Sequence, residues 1–170
     1  MVKQIIITAT GSDRPGIVSE LSNIITSHGS NLEESRMSRM GSDFAIIMLI
    51  SVPEDWEESL KLSLQSINDL AVSIKYTEEI NKSEMMHYGI NLCGADNEGI
   101  VKVLTKYLAE KSINIVELNT NISQAPITGA PLFNLNSRVS LPDSLDIEGI
   151  KLELNQISST LGVDIKFYQI

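Results

Sequence analysis

Gly11-Ser12-Asp13-Arg14-Pro15-Gly16-Ile17-Val18 closes an apolar run and opens a helical pattern. It returns 83 residues further on as Gly94-Ala95-Asp96-Asn97-Glu98-Gly99-Ile100-Val101, and the same offset carries Asn31 onto Asn114. These residue types carry groups that could contact a ligand. Gly11 and Gly16 leave no side chain in the way of a ligand. A helix starting near Pro15 presents unpaired N–H groups and a partial positive charge that suit an anionic group. Asp13 could attract an ammonium and Arg14 a carboxylate, while Asn31, expected beside the turn, offers both a donor and an acceptor. The candidate ligand-binding set is Gly11, Asp13, Arg14, Pro15, Gly16, Ile17, Val18 and Asn31, with Asp96, Gly99, Ile100 and Asn114 in the second copy. Each also has a plainer reading. Asp13 and Asp96 could cap helices, a contribution of about 1 kcal/mol; Gly16 and Gly99 could serve helix–strand packing; Asn31 and Asn114 could close turns. Recurrence of the whole set in register favours the binding role, although a repeat establishes shared architecture rather than a shared ligand.

No other set of residues suggests chemistry. His28 and His87 are far apart and have no second His or Cys at metal-ligand spacing. Cys93 has no CxxC partner and, in an apolar strand, is expected in the core. Phosphate loops, dinucleotide fingerprints, nucleophile elbows and zinc-protease helices are absent from the sequence. Glu33 and Glu34 are adjacent on a strand and so point to opposite faces, which excludes a carboxylate dyad. No catalytic residue, metal site or cofactor is expected.

The elements that would position the turns follow from periodicity. Lys3–Thr10 reads as a strand ending at the turn residue Gly11, and Ile17, Val18, Leu21, Ile24 and Ile25 follow helical spacing up to Gly29. Asn31–Met40 is an untidy strand interrupted by Glu33, Glu34, Arg36 and Arg39, and the apolar run Phe44–Ile50 suits a central strand. A second helix places Trp56, Leu60, Leu64 and Ile67 on one side, before a strand at Val72–Thr77. The order β-α-β-β-α-β is the ferredoxin-like split βαβ arrangement. The second half repeats it as strands Tyr88–Cys93, Asn114–Ile122, Leu132–Leu141 and Val163–Tyr168 and helices Glu98–Glu110 and Leu145–Leu161. Val116, Leu118 and Ile122 alternate with Glu117, Asn119 and Asn121. Six extra residues fall within 124–131, as a surface ornament or a functional flap. In this arrangement the second strand lies at a sheet edge, open to pairing. The fold class is therefore α+β, two ferredoxin-like units at 1–80 and 87–170 joined by a linker at 81–86.

The 170 residues carry 13 Lys and Arg against 22 Asp and Glu, a formal charge of −9, with neither half basic. That disfavours direct binding to nucleic acid by phosphate neutralisation. No apolar run is long enough for a membrane span. A single cysteine and no signal-peptide pattern at Met1–Ile5 fit a cytoplasmic location.

Gly-x-Asp-Arg-Pro-Gly-Ile-Val after a strand, then a helix, then Asn at the head of the second strand, resembles the ACT domain. Two in tandem, with Asn31-Leu32-Glu33-Glu34-Ser35-Arg36 and Phe44-Ala45-Ile46-Ile47-Met48-Leu49, resemble the glycine cleavage system transcriptional repressor family over essentially the whole chain. The second copy departs from the motif, with Asn97-Glu98 in place of Arg14-Pro15. The resemblance implies a non-catalytic regulator that binds an amino acid, glycine by analogy, at an interface between ACT copies. It also implies action through a DNA-binding transcription regulator, in a chain open to homodimerisation. A ligand-free oligomerisation module is the alternative.

Overall fold

The computed structural model describes residues 1–78, 86–95 and 97–170. The chain divides into two compact units, Met1–Asn81 and Lys82–Ile170. Most of the segment read as a linker, and Asp96, lie outside the described residues; Met86, at the end of that segment, opens a strand.

Unit 1 runs β1 (Val2–Ser12), α1 (Ile17–Ser27), β2 (Asn31–Met40), β3 (Asp43–Pro53), α2 (Glu57–Gln65) and β4 (Leu70–Thr77). Its antiparallel sheet has the order β2-β3-β1-β4, so β2 is an edge strand and β3 a central one. Alternation along the strands puts Ile5, Ile7 and Ala9 of β1 and Ile46, Met48, Ile50 and Val52 of β3 on one face. There they meet Ile17, Leu21 and Ile25 of α1 and Leu60 and Leu64 of α2. Burying each large aliphatic side chain contributes about 2 kcal/mol.

Unit 2 repeats the plan as β5 (Met86–Ala95), α3 (Ile100–Glu110), β6 (Asn114–Gln124), β7 (Pro131–Leu141), α4 (Ile147–Leu161) and β8 (Val163–Gln169), in the order β6-β7-β5-β8. Both units are thus α+β, with one helix-covered sheet face and one open face.

Several local expectations fail for identifiable reasons. β1 continues through Gly11 to Ser12 because its pairing with β3 extends to Asp43. Trp56 stands outside α2, in a short 3-10 turn, and is 48% exposed; it contacts the edge of the His28 ring at the end of α1. β6 carries a bulge between Ile115 and Glu117, so its alternation slips and Val116 is exposed, while Ile122 is exposed towards the end of this edge strand. β2 bulges at the equivalent place, between Leu32 and Glu34, which also removes the strict alternation assumed for Glu33 and Glu34. Cys93 is exposed, since β5 turns Leu92 inward and Cys93 to the open face. The added residues of unit 2 form a hairpin tip in which Ala125 N–H donates to Ala130 O and Gly129 N–H to Ala125 O.

Candidate functional site

The first turn is built around two glycines with different duties. A Cβ on Gly11 would lie 2.2 Å from the backbone oxygen of Asp69, so glycine lets β1 pass the head of β4. Gly16 has φ 94° and nothing within 4 Å of its added Cβ; it serves the left-handed step into α1. No side chain caps α1, which begins at Ile17 rather than Pro15. Asp13 therefore does not play the capping role. Its N–H donates to Ser42 O at 2.9 Å, and its carboxylate lies 3.8 Å from Arg39 Nη1.

Arg14 is not held out to solvent for a carboxylate. Its Nε donates to Asp69 Oδ2, its Nη2 to Asp69 Oδ1 at 3.2 Å and to Glu20 Oε2 at 2.6 Å. Asp69 and then Glu20 hold the guanidinium pKa above its ordinary value, and Arg14 holds the Asp69 carboxyl below its own. Ile17 is buried in the core, whereas Pro15 and Gly16 are exposed and Val18 is 41% exposed. The second turn keeps the left-handed glycine and drops the arginine with its two acidic partners. Gly99 has φ 86° before α3, Ile100 is in the core, and no side chain caps the helix. Places held by Arg14, Glu20 and Asp69 fall to Asn97, Val103 and Gly162, with Gly94 opposite Val163 as Gly11 is opposite Leu70.

Asn31 does not join the turn of its own unit. It pairs with Ser51, which pairs with Gln4, whereas Gly11 pairs with Phe44. Seven residues of β1 separate the two levels, roughly 23 Å at the usual rise. Asn114 likewise faces Ser140 and the His87 level, at the far end of β5 from Gly94. The helix returns the chain to the start of the sheet, so the second strand must begin there.

Sequence reasoning missed what surrounds Asn31. Glu33, on the bulge, accepts hydrogen bonds from Ser51 Oγ at 2.6 Å and Asn31 Nδ2 at 3.0 Å, and these, the Ser51 bond foremost, hold its carboxyl below the ordinary range. Glu33, Ser51, Gln4, Lys3, Tyr76 and Thr77 line a concavity of about 760 Å³. Nothing in a single sequence announces a bulge, so Glu33 read as a solvated strand residue.

The ACT domain model matches residues 3–77 and 89–168, one copy in each unit. The chain belongs to the ACT domain family. The glycine cleavage system transcriptional repressor of Escherichia coli K12 is 26% identical over 164 residues, spanning 93% of this chain and 85% of the repressor. A crystal structure of an unknown protein from Galdieria sulphuraria superposes with a TM-score of 0.83 at 32% identity, covering 100% and 99% of the two chains. A second crystal structure, provisionally assigned as a glycine cleavage system transcriptional repressor, shares the fold at a TM-score of 0.72 and 22% identity, over 100% of this ACT protein and 98% of that chain. A regulatory role follows for the ACT tandem, in keeping with curated relatives named as transcriptional repressors. Among the described residues no helix is long and apolar enough to cross a membrane, and no cluster of three His, Cys, Asp or Glu could hold a metal.

Proposed function

We propose that this ACT tandem is a non-catalytic regulator that responds to a small amino acid and acts on transcription through a protein partner, as a corepressor of the glycine cleavage type. The observation that carries the reading is the match to that repressor along nearly the full length of both chains. Two ACT units, with a linker between them, give both halves of this chain to regulatory domains. The uncapped helix start behind Gly16 suits a ligand carboxylate. Asn31, with Glu33 beside it, forms a distinct polar site roughly 23 Å from that helix start, one whose acceptors suit the ammonium of an amino acid. Ligand occupancy shifts the affinity for the partner, which contacts DNA; a formal charge of −9 argues against contact by this chain itself. Glycine is the first ligand to test.

One observation favours a second reading, a ligand-free assembly module. The Arg14 guanidinium is already satisfied by Asp69 and Glu20. A thermal-shift screen against the twenty amino acids, repeated with Asn31→Ala, separates the two. A ligand at a hundredfold excess over Kd stabilises by about 2.7 kcal/mol. A selective rise in Tm lost in Asn31→Ala supports the sensor; a flat screen on protein purified free of ligand leaves the assembly module. Tight binding of the isolated protein to duplex DNA at physiological salt would overturn the indirect mode of action.

A further inference from the structure

β2 and β6 carry the same bulge in the same setting. Each opens on an asparagine, Asn31 or Asn114, that pairs with a serine of the central strand, Ser51 or Ser140. The residue left out of register two places on is Glu33 in one unit and Val116 in the other. Val116 shows that this backbone forms without a carboxylate. The Glu33 side chain is therefore not what makes the bulge, and its role is to be read from its surroundings.

Ser51 Oγ and Asn31 Nδ2 donate to the same oxygen, Glu33 Oε1, which fixes the carboxylate and keeps it ionised. Among the described residues no donor reaches Oε2 and no Lys or Arg pairs with Glu33, whereas the neighbouring Glu34 meets Arg36 at 2.9 Å. The concavity that Glu33 lines, about 760 Å³, also takes in Gln4, Tyr76, Thr77 and a second carboxylate, Glu78. Its volume falls within the roughly 300–1,000 Å³ of small-molecule sites. Ser51, Gln4 and Thr77 stand abreast on β3, β1 and β4. Glu33 beside Ser51 and Glu78 beside Thr77 thus flank a row two strand spacings wide, roughly 10 Å. Among the described residues the lining holds one cation, Lys3, and its ammonium is committed to Glu57 at 2.8 Å and Glu54 at 3.4 Å. A ligand carboxylate meets no free cation here, while a ligand ammonium meets a fixed and unpaired oxygen.

Building on the regulatory reading, we infer that this concavity selects aliphatic amines of net positive charge, a basic amino acid or a diamine, over neutral zwitterions, with an ammonium on Glu33 Oε2. An exposed ion pair by itself contributes little. The selectivity comes from three features together: a carboxylate already held in place, a second acid on the far flank, and the lack of a counter-cation for a ligand carboxylate. Unit 2, with Val116 at the same bulge, has no such site.

Isothermal titration calorimetry of the full chain at fixed ionic strength, with cadaverine, lysine, norleucine and glycine, tests this. Norleucine is lysine without its side-chain ammonium, and cadaverine is lysine without its carboxylate. Cadaverine and lysine are expected to bind roughly tenfold more tightly than norleucine and glycine. A tighter cadaverine identifies a diamine as the occupant, a tighter lysine a basic amino acid. Glu33→Gln, which still accepts from Asn31 and Ser51, and Glu33→Val, which copies the bulge of unit 2, each remove the preference. Glu34→Gln makes the same change in net charge next door and leaves it. No binding, equal binding of all four, a preference that survives Glu33→Val, or one lost in Glu34→Gln overturns the inference. Glycine binding with no preference for the amines overturns it too, yet leaves the amino-acid sensor standing. Cadaverine binding with no response to any of the twenty amino acids does the reverse.

Discussion

The two turns share their glycines and differ in the ion pairs around them. At the first, Arg14 joins Glu20 of α1 to Asp69 ahead of β4; at the second, the same places hold Asn97, Val103 and Gly162. Both retain a left-handed glycine before the helix and a glycine where the first strand passes the last. Geometry is thus what the repeat preserves, and electrostatics is where its halves diverge. The contrast recurs at the second helix of each unit. α2 turns Glu57 inward to Lys3 and Lys61, with Tyr76 donating its hydroxyl, whereas Ile147 begins α4 at the corresponding place.

The shared geometry should be the most expensive to disturb. Gly11→Ala drives a methyl into the Asp69 oxygen and is expected to cost about 3 kcal/mol by denaturant titration. Gly94→Ala meets Val163, 2.9 Å at its Cα, and should cost a comparable amount. If either is silent, the close approach is not what requires glycine. Next comes Glu57→Gln, expected to cost about 2 kcal/mol in unit 1. Lys3 foremost, then Lys61 and Tyr76, hold this carboxyl down to about 2. Its folded pKa lies below the ordinary value near 4.3, so its contribution is complete above that pH and fades as pH falls towards 2. Acid titration followed by unit-specific probes should show unit 1 losing stability in that window and Glu57→Gln reducing the loss, with Asp69 and Glu33 accounting for the remainder.

Gly16→Ala and Gly99→Ala should each cost about 1–2 kcal/mol, nearly equally, because φ is positive and surrounding space is open in both. Unequal values would mean that the turns differ in backbone as well as charge. The smallest effect belongs to Arg14→Ala, whose partners are half-exposed. A slight fall in Tm that vanishes near 1 M salt is expected, with no counterpart for Asn97→Ala.

Most of the fold was legible in the residues. Alternation placed the strands and 3.6-residue spacing placed the helices to within a few residues, because burial of one face dictates both. What escaped depends on contacts distant in sequence. The bulges after Leu32 and Ile115 shift register by one residue, which turned Val116 outward and gave Glu33 its two donors. Arg14 looked available because Asp69 lies 55 residues away. Asn31 looked adjacent to the turn because the motif brackets α1, yet the helix is what carries it to the other end of the sheet.

The hairpin tip between β6 and β7 has an engineering consequence. Inside a paired strand one added residue would turn every later side chain to the opposite face, whereas beyond Gln124 an insertion meets no register to break. Ile127, 97% exposed, sits at that tip. An epitope or fluorophore grafted there would leave both hydrophobic cores untouched and give a handle for following the protein in a living cell.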